Sequence, residues 1–320
     1  MSPKTHTSKP AHRFAVVGGD GRMTYLAQYL AEIGYAVRVF GCGEECLPFA
    51  AGREDLRVCT TLSKAVEGAT AVILPLPATR DGRTVHCPRD PACTISLEEV
   101  AALLTRDPGL YLFGGGLPRA LREETSVSPR ITDYNLDEAF LQKNAEITAE
   151  AALMTAMELT DYALRGTPVA ILGFGRIAKY LARLLSALGA EVTVCARRAE
   201  SLAEAAAAGY ATCLLSPGKE GNGLLSLCPA HRLVFNTVPA PVMPLDFLLA
   251  LPAEALVMDL ASAPFGVTDG DVGEATSAKA LRYLRAPSLP GSYAPRDAGY
   301  AIGACILEAL DSMQNGGVLL

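Results

Sequence analysis

The residues with the most chemistry to offer stand together as Gly173-Phe174-Gly175-Arg176-Ile177-Ala178, a G-x-G-x-x-A run. Gly173 suits a tight turn, Gly175 lets backbone N–H groups approach a pyrophosphate, and Ala178 lets a helix sit close on a strand. A helix starting here aims its unpaired N–H groups and positive dipole end at the anion. An NAD site usually carries Asp or Glu about 20 residues later, where it holds the ribose 2′-hydroxyl. This chain has Ala196-Arg197-Arg198 there. A carboxylate repels a 2′-phosphate and an arginine pair attracts it, so the expected cofactor is NADP.

The elements that must position this motif are legible around it. Pro168 to Leu172 is a short apolar run of the kind buried on both faces of a parallel sheet. Tyr180, Leu181, Leu184, Leu185 and Leu188 then follow at helical spacing as far as Gly189, and Glu191 to Cys195 reads as the next strand. Later strands end in Asn236-Thr237-Val238-Pro239 and in Asp259-Leu260-Ala261-Ser262. Ligands of open α/β sheets lie beyond such carboxyl ends, so Thr237, Val238 and Pro239 are expected against the dinucleotide.

The first part of the chain repeats the layout with a weaker motif. Phe14 to Val17 is an apolar run, Gly18-Gly19-Asp20-Gly21-Arg22 a glycine turn, and Met23 to Ile33 a helix that stops at Gly34. Thr24 stands where the fingerprint wants Gly or Ala, so this half is expected to bind no nucleotide. Arg22 and Arg80 follow strands here and carry forked donors suited to a carboxylate. His86, Cys87 and Cys93 lack the two tight ligand pairs of a zinc site, and no metal is expected.

Leu136 to Leu164 contains neither Gly nor Pro and reads as a long helix that closes at Gly166, with Glu150 near its start. The whole is an α/β chain of two Rossmann-like, doubly wound parallel-sheet domains with a cleft between them. The expected divisions are a disordered tail at 1–12, a substrate domain at 13–140, an interdomain helix at 141–165 and an NADP domain at 166–294. A last helix at 295–315 returns to complete the first domain.

Composition excludes several classes. The chain has 320 residues, half of them hydrophobic, which is too much apolar area for a disordered chain. Its 28 Lys and Arg against 34 Asp and Glu give −6, the wrong sign for a nucleic-acid footprint. The apolar runs are short and broken by prolines, so no membrane span is expected. An odd count of nine cysteines, in a chain large enough to form a core unaided, reads as reduced thiols in a cytoplasm. A homo-oligomer is compatible with all of this.

An ordered set of segments resembles the dipicolinate synthase A-subunit family of spore-forming bacteria. These are FAVVGGDGR, TAEAALMTAMELTDYALRG, VAILGFGRIA, VCARR, NTVP, MDLAS and APSLPGSYAPRDAGY, which together span most of 14–310. The resemblance implies a formate/glycerate dehydrogenase-like layout and a cytoplasmic role in the sporulating mother cell. It further implies a flavoprotein-like B-subunit partner, and oxidation of dihydrodipicolinate to dipicolinate with NADP as hydride acceptor. Such a reaction needs a base for one ring proton and cationic or N–H donors for two carboxylates. Arg22, Arg80 and Arg296 are then the expected clamps, with Asn236 and Ser262 as further substrate contacts. Asp259 and Glu150 are the expected bases, since no His falls at a strand end and His231 precedes its strand. Two other readings share the layout. One is a non-catalytic subunit that binds nucleotide or substrate while a partner does the chemistry. The other is a hydrolase of the S-adenosylhomocysteine type that keeps its cofactor bound, and Arg197-Arg198 argues against it.

Overall fold

In the computed structural model, residues 12–43, 47–123, 127–215, 223–228 and 230–314 are described. Of the expected tail, 1–11 lie outside them, as does residue 315 of the expected last helix. His12, placed in that tail by the sequence, is buried beside the rings of Phe14 and Tyr35 and belongs to the folded chain.

The elements run β1 (Arg13–Val17), α1 (Gly21–Glu32), β2 (Ala36–Phe40), α2 (Leu47–Ala50), β3 (Leu56–Val58), α3 (Leu62–Val66), β4 (Ala71–Ile73), α4 (Leu97–Arg106), β5 (Tyr111–Gly114), α5 (Arg119–Arg122) and β6 (Ile131–Asp133). After them come α6 (Glu138–Leu159), β7 (Pro168–Leu172), α7 (Arg176–Ala187), β8 (Glu191–Ala196), α8 (Ala199–Ala207), β9 (Ala211–Leu214), α9 (Leu224–Leu227) and β10 (Leu233–Asn236). The last are α10 (Leu245–Ala250), β11 (Leu256–Asp259), α11 (Asp269–Ala278), β12 (Arg282–Arg285), α12 (Leu289–Tyr293) and α13 (Pro295–Gln314).

Two compact units result, one of Met1–Lys143 with Ala294–Leu320 and one of Asn144–Tyr293. Each holds a six-stranded sheet, in the orders β3-β2-β1-β4-β5-β6 and β9-β8-β7-β10-β11-β12. Among the described residues every strand pair of the two sheets is parallel. In both sheets the order reverses beside the first strand of the unit, which makes the crevice where such sheets bind ligands. Alternate residues of those strands feed two cores. Phe14 and Val16 face one layer and Ala15 and Val17 the other. Val169 and Ile171 divide from Ala170 and Leu172 in the same way. Burial on both faces is why these strands read as unbroken apolar runs.

The long helix departs from its expected span of 141–165. It begins earlier, at Glu138, and ends at Leu159. The Thr160 hydroxyl donates to the Ala156 carbonyl at 2.8 Å, a local bond that competes with the helical ladder. Gly166, at φ +71°, turns the chain into β7 and does not cap the helix.

In the first unit α13 lies against α1 at a glycine. A Cβ on Gly299 would stand 2.9 Å from the Leu26 amide nitrogen and 3.1 Å from the Tyr25 Cβ. The backbones can meet only because no side chain intervenes. Gly299→Val should therefore destabilise the first unit by about 1–3 kcal/mol through overpacking, read as a lower urea midpoint.

Candidate functional site

The second unit presents an open helix terminus. Gly173, at φ +94°, donates its N–H to the Cys195 carbonyl at 2.8 Å, and this ties the turn to β8. A Cβ on Gly173 would collide with the Thr237 hydroxyl, which donates to the Leu172 carbonyl at 2.8 Å. Gly175 caps α7 with no side-chain bond, is exposed, and a Cβ built there meets nothing within 4 Å. Ala178 is wholly buried where α7 crosses β7. The Phe174 ring turns inward and meets Tyr210 edge-on, and Ile177 packs on the same core, so these two offer a ligand mainly backbone. Arg176 is exposed in the first turn of α7. No side chain caps this turn and the space beside Gly175 is open, as an anion site at a helix N-terminus requires.

Arg197 and Arg198 are both exposed just past β8. Leu172 and Cys195 are register partners, so the arginines leave the sheet at the same end as the glycine turn. Arg198 opens α8 and donates to the Ser201 hydroxyl at 3.2 Å. Thr237 and Val238 are half-buried and Pro239 is exposed beyond β10, again at this end.

The equivalent turn of the first unit is closed by its own chain. Gly19 donates its N–H to the His86 carbonyl at 2.8 Å. The Asp20 side chain caps α1 by accepting from the Arg22 N–H at 3.0 Å. Burial pushes the Asp20 carboxyl up, but the Arg22 bonds outweigh it and hold the group below its ordinary range. The Asp20 carboxylate thus occupies the cap position at the start of α1.

The expected substrate residues separate into two groups. Arg22 is 4% exposed, and its fork is filled by the Asp20 carboxylate, at 2.9 Å from Nε and 2.8 Å from Nη2, and by the Leu76 carbonyl. It is a brace and has no fork left for a substrate. Arg80 is exposed, and its Nε donates to His86 Nε2 at 3.2 Å. Arg296, also exposed, lies over the Tyr300 ring at 5.4 Å in the first turn of α13. His86 is tied to Gly19, and Pro295 lies where a Cβ on Gly21 would come within 3.4 Å of it. Arg80 and Arg296 therefore flank one turn, which the spacing of residues 80 and 296 does not reveal.

Asp259 and Asn236 are wholly buried and bound to each other, with Asn236 Nδ2 donating to Asp259 Oδ1 at 2.8 Å. Asp259 also accepts from Ala261 N–H at 3.2 Å, Gly266 N–H at 2.6 Å and the Tyr283 hydroxyl. Burial and the Asp259 bond push the Tyr283 phenol well above its ordinary value, so it stays a donor. Four donors on a buried carboxylate make Asp259 the tie between β10, β11, β12 and the 260–266 loop, in place of the expected base. Asn236 uses its remaining groups on Val238, so it is not a substrate contact either. Ser262 is exposed on that loop. Glu150 is exposed on α6 and lines a groove with Met154, Met157 and Leu184, about two turns into α7 from Gly175. It does not join the strand-end residues. Asp20, His86 and Tyr283 escaped the sequence reading; only Asp20, an acidic N-cap before a helix, carried a local signal.

Residues 13–131 match the family model of the N-terminal domain of the dipicolinate synthase A subunit. Residues 139–217 match the NAD-binding domain of D-isomer-specific 2-hydroxyacid dehydrogenases. The dipicolinate synthase A subunit of Bacillus subtilis is 28% identical over 308 residues, covering 94% of this chain and 97% of the relative. This chain is a homologue of the dipicolinate synthase A subunit. The crystal structure of that protein from Bacillus subtilis superposes with a TM-score of 0.78 at 25% identity, covering 98% of this chain and 100% of that one. The A subunit from Bacillus halodurans superposes at 0.76 with 24% identity, covering 94% and 98%. The chain thus has the A subunits' two-sheet fold and a nicotinamide-dinucleotide domain of dehydrogenase type. Among the described residues no helix is long and apolar enough to cross a membrane.

If Asp259 is a structural tie, Asp259→Ala should unfold the second unit before it reveals any chemistry. It strands Asn236 and three further donors in the core, a loss of about 3–5 kcal/mol, measured as a lowered thermal midpoint.

Proposed function

We propose that this chain is the NADP-dependent oxidoreductase subunit that converts dihydrodipicolinate to dipicolinate in the cytoplasm of a sporulating mother cell, with a flavoprotein-like B subunit. The observation that carries the reading is the open, uncapped start of α7 at Gly175, beside the exposed pair Arg197 and Arg198. The residues present fit a 2′-phosphorylated dinucleotide. The α7 N–H groups after Gly173 and Gly175 hold the pyrophosphate, and Arg197 and Arg198 take the 2′-phosphate. Thr237, Val238 and Pro239 line the same sheet end. When bound, the nicotinamide supplies a hydride acceptor.

The chain's own part in the reaction is to hold the dicarboxylate. Arg80 and Arg296 are exposed cations at one end of the first sheet and serve the two carboxylates. A substrate with two negative charges is desolvated only against such partners. Its oxidation yields an aromatic ring, so orientation is the larger share of what the protein must supply. The homology to A subunits supports both the substrate and the partner. The deciding experiment is NADPH formation from dihydrodipicolinate by this chain, with and without the B subunit. NADPH in neither arm sinks the proposal. NADPH only when the B subunit is present, with that partner unable to bind NADP, assigns hydride acceptance to this chain.

Two binding measurements examine the cofactor site. Gly175→Val should abolish dinucleotide binding while leaving the melting curve in place, because its Cβ enters open space reserved for the ligand. Replacing Arg197 and Arg198 by Ala should weaken NADP by about 1.5–3 kcal/mol per lost charge-assisted bond and leave NAD nearly unchanged in calorimetry. Equal losses for both nucleotides would reverse the NADP assignment.

A further inference from the structure

Arg80 belongs to a turn that is braced from within. Asp81 accepts from the Arg83 and Thr84 N–H groups, each at 2.8 Å, and from the Thr84 hydroxyl at 2.7 Å. These bonds hold the Asp81 carboxyl well below its ordinary range. Beyond the turn, His86 is fixed through its backbone on both sides. Its N–H donates to the Ala78 carbonyl at 2.9 Å, and its carbonyl accepts from Gly19. The backbone from which the imidazole projects is thus fixed, and its Nε2 stands 3.2 Å from Arg80 Nε.

Donor and acceptor roles in this pair follow from charge. Arginine keeps its proton at every accessible pH, so Nε–H is the donor and His86 Nε2 must be unprotonated. The ring proton then sits on Nδ1. With Nε engaged, the two terminal nitrogens of Arg80 remain as an end-on fork, the geometry that takes a carboxylate through two parallel bonds. Arg80 and His86 border a cavity of about 300 Å3 shared with Thr84, Pro88, Cys93 and Thr94, within the range that small-molecule sites occupy.

We propose that His86 positions Arg80 for a substrate carboxylate, and that protonation of His86 releases Arg80 and weakens capture of the substrate. The inference rests on the reading of Arg80 as a carboxylate clamp. A protonated ring can only donate, so it would face Arg80 as a second cation with no bond between them. The groups facing His86 are Arg80 from the same loop and Asp20 and Arg22 from the glycine turn and α1. Burial, then Arg80 and Arg22, favours the neutral ring, against the opposing pull of Asp20. The ring is thus neutral near neutral pH, and the clamp is lost as pH falls.

The test is binding of dipicolinate to the full chain with NADP present, by calorimetry at about pH 8 and about pH 5.5. Wild-type affinity should fall about tenfold at the lower pH. His86→Leu, which offers no acceptor, should weaken binding about tenfold at the higher pH and flatten the pH-dependence. His86→Gln, whose amide oxygen accepts and does not titrate, should recover most of that loss and remain flat. In turnover the same variants should move KM and leave kcat and NADP affinity in place. Arg80→Ala separates the two levels of the argument. If Arg80→Ala binds dipicolinate normally, the clamp reading is wrong. If Arg80→Ala loses affinity while His86→Gln keeps the wild-type pH-dependence, the clamp stands and the role of His86 is overturned. A flat wild-type profile overturns it too, as does normal binding by His86→Leu. Should His86→Leu not fold, the comparison of wild type with His86→Gln decides the matter alone.

Discussion

Every α-helix begins with N–H groups that its own ladder cannot satisfy. In a parallel α/β sheet those unpaired donors arrive at the carboxyl end of a strand, and something must receive them. The two units of this chain meet that requirement in opposite ways. At α1 the protein supplies an acceptor itself, the Asp20 side chain, which takes the Arg22 N–H. At α7 the cap residue is Gly175, which offers no side-chain acceptor, and a Cβ built there meets nothing within 4 Å. One fold, used twice, thus yields one helix start capped by its own carboxylate and one with no side-chain cap.

The central strands and the open turn were legible because a single local rule governs each. Strands buried on both faces show as apolar runs, and Phe14 to Val17 and Pro168 to Leu172 are of this kind. The turn at Gly173 needs only glycine at a positive φ and a small residue one helical turn later. Two of the four edge strands followed no such rule. Leu56–Val58 and Ala211–Leu214 are mostly exposed, so their residues alternate or are small, and neither was anticipated. The end of α6 was missed because the helix stops at Leu159, seven residues before the glycine taken as its cap.

The site residues were less legible, since their roles are set by partners distant in sequence. Asp259 carries the residue type and strand-end position of a catalytic base. What decides its role is Asn236, 23 residues earlier, and Tyr283, 24 residues later, both donating to it in the core. Arg22 looked like a free cation because its partner, Asp20, read as part of the glycine turn. Arg80 was recognisable, whereas the neighbouring imidazole that orients it read as part of a failed zinc motif. In each case the residue type was visible and its hydrogen-bonding state was not.

The order of elements along the chain bears on how the molecule is made. Residues 144–293 form the second unit, and they interrupt the first, whose α13 covers α1 only through the final residues. Domains generally fold as they leave the ribosome, the earlier-translated one first. Here the inserted unit has all its strands before α13 emerges, while the apolar side of α1 still lacks its cover. The N-terminal unit is thus the last to be completed during synthesis. Its exposed interval lasts through translation of the whole insert.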